Sequence, residues 1–328
     1  MRRREFIAGL GGAALAWPLT ARAQPEPRRV GVLMSNRDGD AEGQARIAAF
    51  RDALREAGWI EGRNLRLEIR WAGGDMERIR AYAAELVAEA PAVILGNGTP
   101  AVRALQSMTP SIPIVFAQIQ DPVGLGIVAS MARPGGNITG FAVTVDFDLI
   151  GKWLDLLRAV APGVRRATLL YNPDTVPFYR RALAAYTESK AFTIPVTAGE
   201  VRTPDDVAAT LTEIAREPRG GLIVPFDAFT VVHLPLVAEQ ALQHRLPSVS
   251  PYRQFAVDGG LIAYGPDVLE IFRRSAGYVD RILKGEHPAE LPVQAPTRFE
   301  TLINLKTATA LGLTVPPTLL ATADEVIE

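Results

Sequence analysis

Short apolar runs alternate with amphipathic segments along nearly the whole chain, and this pattern restricts the fold more than any other feature. Seven runs predict strands, at residues 29–34, 92–96, 112–117, 138–143, 167–171, 221–226 and 260–264. Most of them are continuous and rich in Val, Ile and Leu, which is typical of strands buried on both faces of a parallel sheet.

The segments between the runs predict helices. In residues 75–89 the apolar side chains recur at helical spacing, and Arg and Glu occupy the opposite face. Residues 149–160 repeat this arrangement around Trp153. Because strands and helices alternate, the sequence predicts βαβ units and an α/β fold. We expect two doubly wound parallel-sheet lobes joined by a hinge.

Interruptions of the alternation predict where the lobes divide. A turn at 134–137 and a polar segment at 144–148 surround the strand 138–143, so a first crossing between lobes is expected there. The predicted division is an N-terminal lobe at 28–145 and a C-terminal lobe at 146–288. Residues 289–328 contain several prolines and are predicted to form a return crossing and a tail packed over the lobes.

The first residues have the pattern of an export signal. Arg2, Arg3 and Arg4 precede a short apolar stretch at 7–19, and a small-x-small cleavage pattern ends at Ala23. The stretch is shorter than the roughly 20 residues that span a bilayer. Residues 1–23 are therefore predicted to be a cleaved signal of the twin-arginine type.

Charge and cysteine content exclude several classes of function. The chain has no cysteine, which excludes disulfides, thiolate metal sites and cysteine nucleophiles. The predicted signal holds four Arg and one Glu, so its removal leaves 31 basic and 35 acidic residues, a net charge of about −4. A net negative charge does not indicate the basic surface with which proteins bind nucleic acid. The mature chain also has no second apolar stretch that would predict a membrane span.

Ligand-binding residues are expected where the strands end, because open parallel sheets bind ligands at the carboxyl ends of their strands. The candidates at these ends are Asn36, Gly98, Thr99, Pro100, Asp121, Asn172, Phe226, Asp227 and Tyr264. The most specific pattern is Thr99-Pro100, since Thr caps helices and Pro suits the first helical position. Gly98 permits close approach of a ligand, and the exposed amides of the helix would attract a carboxylate.

Each of these candidates also has a purely structural interpretation. Thr99, Asp121 and Asp227 could cap helices without touching a ligand, and Tyr264 and Phe226 could be ordinary core residues. In the binding interpretation, Asp227 or Asp121 holds an ammonium group, and Phe226 or Tyr264 contacts the body of the ligand.

Catalytic and cofactor patterns are weak. Three histidines lack the spacing of a metal site, and no Ser lies in a G-x-S-x-G elbow. Residues 9–14 partly match a dinucleotide-binding loop, but they lie inside the predicted signal with no strand before them. The sequence therefore predicts no catalytic residue, no metal and no cofactor, and an enzyme is the least favoured class.

Several segments carry a family resemblance. They are DPVG at 121–124, ARPGGNITG at 132–140, NLKTA at 304–308, LGL at 311–313 and the tail at 316–328 that ends in ADEVIE. These segments resemble the ABC-transporter substrate-binding proteins of the tryptophan/tyrosine-binding type. The resemblance covers essentially the whole mature chain, and the motifs at Gly98-Thr99-Pro100 and Asp121-Pro122 have counterparts in the family. Gly96-Asn97 replaces the Ala-Thr that often precedes this motif in relatives, so the pocket shape is expected to differ.

The resemblance implies a type I periplasmic-binding-protein-like fold and a periplasmic receptor that holds a small solute between two lobes, with an ABC permease and its ATPase as partners. We expect the receptor to be a monomer. An aromatic amino acid or a related compound is one candidate ligand; a nucleoside, a sugar or an aromatic acid also fits the residues. An alternative function is a ligand-sensing protein that passes its closed state to a membrane signalling receptor.

Overall fold

The computed structural model describes residues 26–143, 147–189 and 194–328. The predicted export signal and residues 144–146 of the predicted first crossing lie outside these ranges. Within them, no helix combines the length and the apolar character that crossing a membrane would require.

The first sheet is entirely parallel and is formed by the N-terminal part of the chain. Its strands are β1 (Arg28–Met34), β2 (Leu65–Trp71), β3 (Val93–Asn97), β4 (Ile114–Ile119) and β5 (Ile138–Ala142), in the order β2-β1-β3-β4-β5. The connecting helices are α1 (Ala41–Glu56), α2 (Met76–Ala88) and α3 (Thr99–Met108). The predicted strands of this sheet are present, but β2 was not predicted. It lies at the sheet edge with only two buried residues, so it lacks the continuous apolar run of a central strand.

The second sheet is larger and mixed. Its strands are β6 (Arg166–Tyr171), β7 (Val196–Glu200), β8 (Gly220–Ile223), β9 (Ser248–Ser250), β10 (Ile262–Pro266), β11 (Phe299–Asn304) and β12 (Glu325–Ile327). Their order is β12-β11-β10-β9-β8-β6-β7, with the antiparallel pairing between β10 and β11. β11 and β12 come from the segment predicted to be a return crossing and tail, so this segment extends the second sheet.

The remaining helices complete the α/β architecture. They are α4 (Phe147–Val160), α5 (Phe178–Ser189), α6 (Pro204–Arg216), α7 (Ala228–Val231), α8 (Leu234–Gln243), α9 (Arg253–Val257), α10 (Val268–Leu283), a 3₁₀ helix (Pro288–Glu290), α11 (Leu305–Ala310) and α12 (Pro317–Leu320). Local sequence explains several starts: Asp75 accepts hydrogen bonds from two backbone amides at the start of α2, and Thr203 and Asp206 form a capping box on α6.

Helix α10 requires a correction to the predicted division of the chain. Residues 146–288 were assigned to the C-terminal lobe, yet α10 packs against α1 and against β3, β4 and β5 of the first sheet. Sequence periodicity shows that a helix has an apolar face but not which sheet that face covers. The chain therefore passes between the sheets three times: after β5, between β10 and α10, and between the 3₁₀ helix and β11.

Both sheets are covered by apolar side chains on the described helices. Trp153 on α4 is fully buried, and its indole Nε1 donates a hydrogen bond of 2.8 Å to the carbonyl of Tyr264. Buried Phe50 of α1 and Phe272 of α10 belong to the same apolar core. The strands are thereby fixed so that two sets of strand ends face one another.

Candidate functional site

A small cavity lies between the strand ends of the two sheets. Its volume is about 30 Å³, which leaves room for little more than water. Five of the predicted ligand-binding residues line it, namely Gly98, Thr99, Pro100, Phe226 and Asp227. Since some come from the first sheet and others from the second, the cavity is the closed cleft of a two-lobed fold.

The first-sheet wall is built from residues at or just after the ends of β1, β3 and β4. Ser35 Oγ donates to the Asn97 carbonyl at 2.7 Å, and Asn97 Nδ2 donates to Gln118 Oε1 at 2.9 Å. The φ angle of Gly98 is +82°, a region in which side-chain-bearing residues are strained, so glycine suits the turn into α3. These bonds hold the first turn of α3 against the cavity.

Asp227 forms the anionic part of the second-sheet wall. It is 2% exposed, and its carboxylate accepts hydrogen bonds from the amides of Asn172 (2.9 Å), Phe229 (3.0 Å) and Thr230 (3.4 Å) and from the Thr175 hydroxyl. Burial raises the pKa of this carboxyl above its usual range, against the lowering effect of these donors. Asp227 therefore caps α7 and also lines the cavity.

A buried contact joins the two walls. Gln120 follows β4, and its Nε2 donates to the Phe226 carbonyl at 3.0 Å, while its Oε1 lies 3.3 Å from Thr99 Oγ1. The Tyr179 hydroxyl donates to the same carbonyl at 3.0 Å. Gln120 thus links the first sheet to the second directly beside the cavity.

Arg46 and Tyr252 complete the lining. Arg46 is 1% exposed on α1, and its guanidinium carbon lies 5.8 Å from the centre of the Tyr252 ring. The Tyr252 hydroxyl accepts a hydrogen bond of 3.3 Å from the Asp227 amide, and burial raises the pKa of Tyr252. The ring packs edge-on against Phe226, with centroids 5.2 Å apart.

Four predicted site residues do not line the cavity. Buried Asn36 accepts a bond from Arg46, and Asn172 supports Asp227 through its amide. Asp121 binds the Gly124 amide and lies 3.5 Å from Arg181 Nη2, a contact between the two lobes. Tyr264 stacks on Phe299. It is the last residue of the predicted strand, but β10 continues to Pro266, so Tyr264 lies inside the strand and not at its end.

Several lining residues were missed. Gln118 and Gln120 lie in a segment expected to follow a strand, and that position was the available signal. Arg46 carried no such signal, because it is on a helix. Tyr252 is one of the aromatic residues that could stack on a ligand, but it follows a strand of only three residues, which the sequence did not predict.

The fold and this cleft define a two-lobed solute-binding protein of the type I periplasmic class. The model of the family described as ABC transporter substrate binding protein matches residues 37–327. The chain belongs to this family.

Three similar proteins are informative. A tyrosine-binding protein of Clostridioides difficile (strain R20291) is 25% identical over 264 residues, covering 80% of this chain and 75% of that protein. The structure of an ABC domain in complex with L-Trp from Streptococcus pneumoniae is 25% identical with a TM-score of 0.83, over 92% of this chain and all of that chain. A conserved domain protein from Vibrio cholerae is 25% identical with a TM-score of 0.81, over 92% and 99% of the two chains.

Proposed function

We propose that the protein is the solute receptor of an ABC importer, working in the periplasm and capturing an aromatic amino acid or a closely related compound between its lobes. The observation that carries this proposal is the cleft lined by Arg46, Asp227, Phe226 and Tyr252, in a chain whose similar proteins are named for L-Trp and tyrosine. One cation, one anion and two aromatic rings are complementary to such a ligand.

The ligand contacts follow from the two walls. Thr99 and the first turn of α3 receive the carboxylate, since backbone amides at a helix start attract anions. Asp227 receives the ammonium, and Phe226 contacts the ring. An ionised carboxylate has about four acceptor sites, and four donors already surround Asp227. The ligand ammonium therefore takes the place of the donor with the longest hydrogen bond, the Thr230 amide. Asp121 is less suitable because it lies outside the cavity lining, beside Arg181.

Capture requires the lobes to separate. A cavity of about 30 Å³ is far below the 300–1,000 Å³ of typical ligand sites. The receptor opens at the three crossings, binds the solute on one lobe and closes around it, and the closed form is presented to the permease and its ATPase. We propose that it acts as a monomer without catalysing a reaction.

A thermal-shift screen tests the ligand class. L-Trp, L-Tyr and L-Phe are compared with nucleosides, sugars and aromatic acids on the mature chain. A ligand at 100-fold its dissociation constant adds about 2.7 kcal/mol to stability, so an aromatic amino acid should raise the melting temperature. Stabilisation by a sugar or nucleoside alone would refute the proposed class.

Uptake distinguishes transport from sensing. Deletion of the gene should abolish uptake of the labelled ligand identified in the screen, and restoring the gene should restore it. Unchanged uptake, together with a lost transcriptional or signalling response to the ligand, would favour the sensing alternative.

A further inference from the structure

The cavity wall contains a buried arginine whose hydrogen-bonding capacity is incompletely used. Arg46 is the one cation and Asp227 the one anion among the described residues that line the cavity. A guanidinium that is 1% exposed needs nearly all its donors paired within the protein. The contacts of its nitrogens therefore show whether it is structural or available to a ligand.

Two of the three nitrogens are occupied. Nη2 pairs with Glu42 Oε1, one turn earlier on α1, and Nη1 donates to Asn36 Oδ1 at 3.2 Å. The buried Nε has no hydrogen-bond partner in the described part of the chain, and neither has Glu42 Oε2. An arginine kept only for its ion pair with Glu42 would not require a position on the cavity wall.

The surroundings fix the guanidinium close to Asp227. Tyr252 contacts both residues: its ring centre is 5.8 Å from the guanidinium carbon of Arg46, and its hydroxyl accepts a hydrogen bond from the Asp227 amide. Opposite charges therefore line a single cavity. This arrangement suits a small molecule that carries both charges.

We propose that Arg46 is the residue that binds the carboxylate of the solute and selects carboxylate-bearing ligands. The carboxylate lies between the guanidinium and Thr99 at the start of α3, which line the same cavity. Guanidinium and carboxylate groups form strong charge-assisted hydrogen bonds. The inference rests on the proposed function and extends it, because it makes a zwitterionic amino acid, rather than an amine or a sugar, the preferred ligand.

The test compares Arg46→Gln and Arg46→Lys with the wild type by isothermal titration calorimetry. The ligands are L-Trp, L-Tyr and tryptamine, which lacks the carboxylate. We expect Arg46→Gln to lose about 10- to 150-fold in affinity for the amino acids, the range for a hydrogen bond to a charged group, and Arg46→Lys to lose less. Arg51→Gln is the matched control, since Arg51 is on the same helix with a 45% exposed side chain paired to Glu61.

A second variant separates binding from structure. Glu42→Gln removes the counter-ion of Arg46, so it should tighten the binding of L-Trp relative to tryptamine, whereas a purely structural arginine predicts equal effects on both. If Arg46→Gln does not fold, the double variant Glu42→Gln/Arg46→Gln, which leaves no lone buried charge, takes its place with the same expected loss.

Two results would overturn the assignment of Arg46: affinity of the Arg46→Gln protein for L-Trp within threefold of wild type, or an equal loss for L-Trp and tryptamine. Failure of the proposed function looks different, because the wild type would then bind neither L-Trp nor L-Tyr. In that case indole-3-acetate and 4-hydroxyphenylacetate become the probes, and the assignment fails if neither binds more weakly to Arg46→Gln than to wild type.

Discussion

Replacement of Asp227 should separate its capping role from its binding role. Asp227→Ala removes a helix cap, worth about 1 kcal/mol. It also leaves the Asn172 amide unpaired, at about 1–3 kcal/mol, whereas the Thr175 hydroxyl keeps its bond to the Asn172 carbonyl. Because burial raises the pKa of Asp227, the ionised carboxylate is itself costly in the folded state. The loss of unfolding free energy should therefore fall near the lower end of the sum, at about 2 kcal/mol.

Two variants provide the comparison. Asp75→Ala is a matched control, since Asp75 caps α2 in the same way, but from an exposed position away from the cavity; it should cost about 1 kcal/mol and leave affinity unchanged. Asp227→Asn removes the charge with little change of shape. It should weaken the binding of L-Trp by about 1–3 kcal/mol without weakening that of indole-3-propionate, which lacks the ammonium.

Urea unfolding measures the stability terms and calorimetry the affinities. If Asp227→Asn binds L-Trp as tightly as the wild type, then Asp227 is a cap alone, and the ammonium site lies elsewhere. If Asp227→Ala costs no more than Asp75→Ala, the buried Asn172 amide does not depend on the carboxylate, and the energetic reasoning is wrong.

Three further predictions concern closure and the core. Gln120→Ala should weaken ligand binding in calorimetry by about 0.5–1.5 kcal/mol, because it removes the bond to the Phe226 carbonyl that joins the lobes. Gln106→Ala is the control: its bond to the Gly126 carbonyl stays within one lobe, so ligand affinity should not change. Burial lowers the pKa of His233, whose Nδ1 donates to the Phe229 carbonyl and whose Nε2 accepts from Arg37 of the other lobe at 3.2 Å. Because burial favours the neutral imidazole, this contact is present above the ordinary value of about 6.5 and is lost as pH falls through the folded-state pKa, which lies below that value. Small-angle scattering over a series of decreasing pH from 7.5 should show a growing share of open protein, and this change should shrink in His233→Gln; an equal change in both proteins would contradict the reasoning. Trp153→Phe should reduce the unfolding free energy by about 1–3 kcal/mol, because the Tyr264 carbonyl loses its donor, and an unchanged urea midpoint would show that this carbonyl finds another.

The fold was largely predictable because buried parallel strands have a distinctive composition. The central strands β1, β3, β4 and β6 are continuous apolar runs, and the sequence places them to within two residues. Edge strands such as β2 and β7 are half exposed, and their mixed composition resembles that of loops.

The cavity lining was predictable only at the ends of strands. Thr99 and Asp227 were predicted as ligand-binding residues because ligands bind at the carboxyl ends of strands, and both line the cavity. Arg46 was not, because a helical Arg four residues after Glu42 has the pattern of an exposed ion pair. In the fold this pair is largely buried, with Tyr252 of the second lobe beside the guanidinium. Tyr264 was misplaced for a simpler reason, since the strand runs two residues further than its apolar run.

The contacts that join the two lobes across the cleft are individually weak, so the ligand itself must supply much of the free energy of closure. Exposed pairs such as Arg181–Asp121 contribute about 0–1 kcal/mol, and the buried Gln120–Phe226 bond contributes about 0.5–1.5 kcal/mol. On the opposite side, two crossings are hydrogen-bonded to each other, since the Asp267 amide donates to the Arg298 carbonyl at 3.1 Å and prolongs the β10–β11 pairing. A change from 1% to 99% closed protein needs a ligand preference of about 5.5 kcal/mol. One charge-assisted bond at Arg46 and another at Asp227, at about 1.5–3 kcal/mol each, come close to this value. We therefore expect a ligand that carries both charges to close the cleft, and one that carries a single charge to leave a large share of the protein open.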